Sequence, residues 1–119
     1  MPETTTHVIE MPGAVVVYDV HEPDQPSDHR PLFIFGSPMG AAGFTELVRL
    51  FGDRTVITYD PRVGERSRLE KGAALSYEVH GDDVHRVVAA SGLGPVDVFA
   101  SSGGAVAALN VAAVQHFLR

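Results

Sequence analysis

The sequence contains no cysteine. Disulfides and thiolate metal sites are excluded, and a cytoplasmic setting is expected. No basic segment precedes an apolar one at the start, so no secretion leader is expected. No apolar run reaches the roughly 20 residues that a spanning helix needs, so no membrane is expected as a partner. Positive charge is scarce: nine Lys and Arg stand against fifteen Asp and Glu, a formal net charge of −6. That balance argues against nucleic acid or an anionic membrane surface. Internal repeats and low-complexity stretches are absent.

What remains is an ordinary globular composition at a length, 119 residues, that suits one domain. Residues 5–11 and 14–20 are β-rich and separated by the turn dipeptide Pro12-Gly13, which predicts an antiparallel hairpin. Residues 21–30 are polar, carry Pro23 and Pro26, and read as a loop. Leu32-Phe33-Ile34-Phe35 is a continuous apolar run, as in a strand buried on both faces of a parallel sheet. Phe44, Leu47, Val48 and Phe51 recur at helical spacing over residues 41–51, with Gly52 as a stop. Residues 54–59 read as the next strand, and 62–74 as charged and irregular. Val79, Asp83, Val84, Val87 and Val88 predict a helix over 75–91, ended by Gly92. Residues 96–100, from Val96 to Ala100, form the last predicted strand, and 103–118 the last helix. Strand alternating with helix implies βαβ units and a parallel sheet, whose chemistry gathers at the carboxyl ends of the strands.

Three polar loops fall at those ends. Ala100-Ser101-Ser102-Gly103-Gly104 joins the last strand to the last helix. A sharp strand-to-helix turn flanked by small residues can hold a serine in a strained conformation with its hydroxyl exposed. The helix amino end then favours a developing anion. Ser is equally a preferred helix N-cap without any chemistry. Ser101 is the competing nucleophile, but it would put bulky Phe99 two residues before the serine. Gly36-Ser37-Pro38 follows the first parallel strand; Pro38 has no N–H, so it donates nothing. Asp60 and Arg62 follow the second; they read either as site groups or as a loop-ordering ion-pair network. His80 and His85 are offset by five, which does not put both on one helix face, so no metal site is expected.

Taken in order, these pieces resemble the first half of an α/β-hydrolase over residues 31–113. Leu32-Phe33-Ile34-Phe35-Gly36-Ser37-Pro38-Met39-Gly40 resembles the family's strand and His-Gly-x-Pro-x-Gly oxyanion loop, with Phe35 in place of the His. Tyr59-Asp60-Pro61-Arg62-Val63-Gly64-Glu65-Arg66-Ser67 resembles the Tyr-Asp-x-Arg-Gly-x-Gly-x-Ser loop, with Val63 replacing a Gly. Residues 100–104 resemble the Gly-x-Ser-x-Gly elbow, with Ala100 for the first Gly. The resemblance implies a parallel-sheet, three-layer α/β sandwich with an N-terminal antiparallel hairpin, truncated after the elbow helix. Residues 1–30 would form the hairpin and loop, and 31–119 the βαβαβα core.

For chemistry, the resemblance implies acyl transfer or hydrolysis of an ester, amide or related small molecule, without cofactor or metal. Ser102 would be the nucleophile, Gly103 and Ser37 would supply the oxyanion N–H groups, and Gly36, Asp60 and Arg62 would be structural. A serine at this position argues against the aspartate-nucleophile branches. In the family the acid and the His follow the elbow. After Ser102 this sequence has no Asp or Glu and one histidine, His116. His116 lies roughly 20 Å along the helix from Ser102, too far to act as its base. The sequence thus predicts a hydrolase portion that is inactive alone. The alternative is a non-catalytic remnant that self-associates or binds a partner. In both, the 96–100 strand is left as an unpaired apolar edge that invites self-association.

Overall fold

The computed structural model describes residues 3–73 and 75–114. Its centre is a six-stranded mixed sheet in which five strands run in the order β1-β2-β4-β3-β6 and the short β5 pairs with β2 off this path. β1 (Thr4–Met11) and β2 (Ala14–His21) form the expected hairpin, with Gly13 at φ +80° in the two-residue turn. β3 (Leu32–Ser37) is parallel to both β4 (Val56–Tyr59) and β6 (Asp97–Ser102). The sequence alone predicts a parallel sheet beside a hairpin. The hairpin in fact joins that sheet, because β2 pairs antiparallel with β4, Tyr18 opposite Tyr59 and His21 opposite Val56. A second difference is β5 (Arg68–Leu69), a short strand inside the segment expected to be irregular, paired with Ala14 and Val15 of β2.

Side chains alternate across the sheet with period two and feed two cores. Phe33 and Phe35 join Val16, Tyr18, Ile57 and Tyr59 on one face, under Val84, Val87 and Val88 of α2 (Tyr77–Ser91) and Ala108 of α3 (Gly103–Val114). Leu32, Ile34 and Val56 face the other way onto Phe44, Leu47, Val48 and Phe51. Helices therefore cover both faces of β3 and β4, which explains why β3 reads as an uninterrupted apolar run. Ser76 caps α2 by accepting from the Val79 N–H at 3.3 Å, and Gly92 at φ +70° terminates it.

The helix expected over 41–51 is shorter. Ala41–Phe44 is a 3-10 turn and only Thr45–Arg49 (α1) is α-helical. The Gly43 N–H closes this tight turn on the Gly40 carbonyl at 3.1 Å. The chain leaves through i→i+3 bonds at Leu50 and Phe51.

β6 pairs with β3 alone among the described residues and so ends the sheet. Phe99 is 47% exposed there, and Leu109 on the adjoining α3 is 72% exposed.

Candidate active site

β6 runs directly into α3, and Ser102 is the junction. It sits at φ +58°, in the left-handed region, and no other non-glycine residue among those described has a positive φ. A residue with a Cβ pays roughly 1–2 kcal/mol for that conformation. The neighbouring glycines make the turn feasible. A Cβ on Gly104 would lie 2.8 Å from the Gly36 Cα and 2.9 Å from its carbonyl carbon. A Cβ on Gly103 would lie 3.0 Å from the Ser37 carbonyl oxygen and 3.6 Å from the Tyr77 ring. Gly36 is itself confined, with the Phe44 ring 3.1 Å from its Cβ position. Backbone thus meets backbone where α3 leaves the sheet.

The parallel register places Gly36 beside Ser101 and Ser37 beside Ser102. Four residues singled out from the sequence, Gly36, Ser37, Ser102 and Gly103, therefore meet at one end of two adjacent strands.

Asp60 and Arg62 are held elsewhere, each by a different partner. The Asp60 carboxylate accepts from the Ala41 N–H at 2.9 Å, from the Arg66 N–H at 2.8 Å and from the Arg66 guanidinium at 3.1 Å. It ties the loop after β3 to the loop after β4. Burial pushes its carboxyl up, but the Arg66 hydrogen bonds, the Ala41 N–H and the Arg66 charge outweigh that, so the net direction is down. Arg66 also reaches Asp19 of β2 at 2.7 Å. Arg62 is buried and donates from Nε and Nη2 to Asp83 of α2 at 2.7 and 2.9 Å, and from Nη2 to the Pro12 carbonyl at 3.1 Å. It fastens the loop after β4 to α2 and to the hairpin turn.

Sequence reasoning did not pick out Asp83, Arg66 or Asp19 as members of this frame. A signal existed for Asp83: a carboxylate inside the Val79-Val84-Val87-Val88 stripe needs a buried cation.

His7, His21 and His29 are engaged away from the elbow. His7 stacks on Tyr18 at 4.9 Å, on a strand four positions from β6, roughly 19 Å at the usual spacing. His21 bonds Thr4 and Thr58 near the amino ends of the parallel strands, and His29 faces Asp53 in the loop before β3. His80 is buried on α2, with Nδ1 lacking a hydrogen-bond partner. Burial pushes His80 down, the Asp83 charge opposes this and the Arg62 charge adds to it. His116 lies outside the described residues. Among the described residues no group of three or more His, Asp or Glu could hold a metal ion, and no helix is long and apolar enough to cross a membrane.

No family model matches the chain. It is 33% identical over 110 residues to an uncharacterized hydrolase, YraK, of Bacillus subtilis (strain 168), covering 91% of this chain and 39% of that protein. In three dimensions it is similar to a proline iminopeptidase of Mycobacterium smegmatis, with TM-score 0.79 and 22% identity over 93% of this chain and 40% of that one. It is similar likewise to the epoxide hydrolase CorEH, with TM-score 0.80 and 20% identity over 98% and 40%. An N-acyl homoserine lactonase, AidH, gives TM-score 0.78 and 18% identity over 93% and 41%. The likeness at these identities is one of fold. The chain spans about two fifths of the length of the relatives it matches.

Proposed function

Starting from the α/β-hydrolase fold that this chain carries over its described residues, we propose that it forms the nucleophile-bearing portion of a serine hydrolase acting on an ester, amide or related small molecule. The observation that carries this reading is Ser102 at φ +58° between β6 and α3, directly beside Ser37. A helix N-cap has no need of a left-handed backbone, since the N-cap residue normally sits in the β region. A nucleophile that must project from a turn does need one.

In the proposed reaction the Ser102 Oγ attacks the substrate carbonyl carbon, and its proton passes to a base. The carbonyl π-electrons move onto oxygen, which accepts hydrogen bonds from the Gly103 and Ser37 N–H groups. Collapse of this intermediate expels the alcohol or amine with a proton. Water then attacks the acyl-serine by the same route and restores the hydroxyl. Each oxyanion donor is worth about 10²–10³ in rate. Gly36 serves by letting α3 approach β3. Asp60 and Arg62 serve by fixing the loops, since their polar atoms are committed to Ala41, Arg66, Asp83 and Pro12.

The reading assigns neither base nor acid among the described residues, so the 119-residue chain is expected not to turn over p-nitrophenyl acetate. With no base assigned, the Ser102 proton passes to solvent as Oγ displaces fluoride from the phosphorus of a fluorophosphonate, so slow labelling of Ser102 is expected, and Ser102→Ala is expected to abolish the label. Turnover of p-nitrophenyl acetate that disappears in Ser102→Ala would contradict the expected inactivity.

Self-association through the β6 edge belongs to the same proposal. Its support is the exposure of Phe99 and Leu109 beside a strand paired on one side. Sedimentation is expected to show concentration-dependent association that Phe99→Lys reduces. A monodisperse monomer at every concentration would oppose it.

A further inference from the structure

The proposed nucleophile stands beside an aromatic ring that neither the elbow nor the oxyanion loop accounts for. Tyr77 opens α2, is 49% exposed, and has no hydrogen-bond partner for its hydroxyl among the described residues. Its Cε1 lies 3.6 Å from the Cβ position of Gly103, an ordinary van der Waals distance. Gly103 is the residue after Ser102, and its N–H is a proposed oxyanion donor. The ring therefore stands in contact range of the residue that carries the proposed oxyanion N–H.

Three exposed apolar side chains stand in the loops that lead to this region. Met39 is 49% exposed two residues beyond Ser37, Leu75 is 50% exposed two residues before Tyr77, and Val63 is 42% exposed in the loop after β4. All three belong to the end of the sheet at which the parallel strands finish. Exposed apolar side chains on the loops leaving β3 and β4 and on the segment entering α2 offer apolar surface of the kind that takes up an apolar ligand.

We infer that Tyr77 is a specificity-determining residue whose ring forms one wall of the substrate site, selecting substrates with an apolar acyl or alkyl chain. The inference rests on the reading of Ser102 as the nucleophile. The ring acts through its apolar edge, so the hydroxyl is dispensable. Each methylene removed from water is worth about 0.8 kcal/mol, or roughly fourfold in rate. A single ring covering one or two methylenes gives a chain-length preference of about tenfold.

The experiment compares labelling of Ser102 by a methyl- and an octyl-substituted fluorophosphonate. The full chain is used as wild type, Tyr77→Phe and Tyr77→Ala, and labelling is read by intact-protein mass spectrometry. The octyl probe is expected to label wild type about tenfold faster than the methyl probe. Tyr77→Phe keeps that ratio, whereas Tyr77→Ala brings it close to one by slowing the octyl probe more than the methyl probe. Equal melting temperatures for the three proteins separate selectivity from folding. A ratio in Tyr77→Ala equal to that of wild type overturns the inference and leaves Ser102 standing. Loss of the ratio in Tyr77→Phe also overturns it, by transferring the selection to the hydroxyl. A wild-type chain that takes neither probe at Ser102 overturns the serine reading itself, and Tyr77's role with it.

Discussion

Gly104→Ala reports on the elbow with an unusual sign. In an ordinary helix, glycine to alanine is stabilising by up to about 1 kcal/mol, because the chain loses less conformational freedom. Here the new methyl would arrive 2.8 Å from the Gly36 Cα and 2.9 Å from the Gly36 carbonyl carbon, both backbone atoms of β3. Carbon atoms in contact prefer about 3.5–4.0 Å, so α3 has to retreat from β3 by roughly 1 Å. β3 is held between β4 and β6 and does not yield easily. Overpacking of this kind costs about 1–3 kcal/mol. The substitution is therefore expected to destabilise by about 1–2 kcal/mol net, which lowers Tm by roughly 4–10 °C for a domain of this size. Thermal and urea unfolding followed by circular dichroism read the change. Val106→Ala, on the exposed side of the same helix, serves as the control and is expected within about 0.5 kcal/mol of wild type. An unchanged or higher Tm in Gly104→Ala would refute the close approach of α3 to β3.

Two further predictions concern the frame behind the elbow. Arg62→Ala strands the Asp83 carboxylate, whose side chain is 2% exposed, and is expected to cost about 3–5 kcal/mol in urea unfolding. The paired change Arg62→Met with Asp83→Leu is expected to cost far less; equal losses would mean that the charges are not the cause. Stability is also expected to fall with acid. His21 and His80 are held below the ordinary histidine range, chiefly by burial, so they contribute stability above about pH 6.5 that is lost as pH falls through their folded values. Asp19 and Asp60 are held low by Arg66 against the opposing effect of burial, so their contribution is present above about pH 4 and lost below it. A urea midpoint that stays flat from pH 7 to pH 3 would contradict both assignments.

The parts of this molecule legible in the sequence are those whose signals are local. Leu32-Phe33-Ile34-Phe35 announces a buried strand by its uninterrupted apolar run, and Gly92 announces the end of α2. The elbow is legible because small residues cluster where strand gives way to helix. Pairings between distant segments are not legible. Nothing in Arg68-Leu69 marks it as a strand, since its partner at Ala14 and Val15 is more than fifty residues away. The antiparallel pairing of β2 with β4 is of the same kind. The 3-10 entry to α1 over Ala41–Phe44 is a local winding that helical periodicity does not register. In the candidate site, the serine and its glycines could be found by spacing. The Asp60–Arg66–Asp19 and Arg62–Asp83 pairs could not, because each joins charges from separate elements.

The central claim is that this fold, by bending the backbone at Ser102, turns one serine among several into a nucleophile. The most direct test maps fluorophosphonate adducts by tandem mass spectrometry on the folded chain and on the same chain in unfolding concentrations of urea. The account predicts a label on Ser102 in the folded chain, none on Ser101 or Ser37, and loss of the label on unfolding. A label that favours Ser101, or one that appears equally in both states, would contradict it.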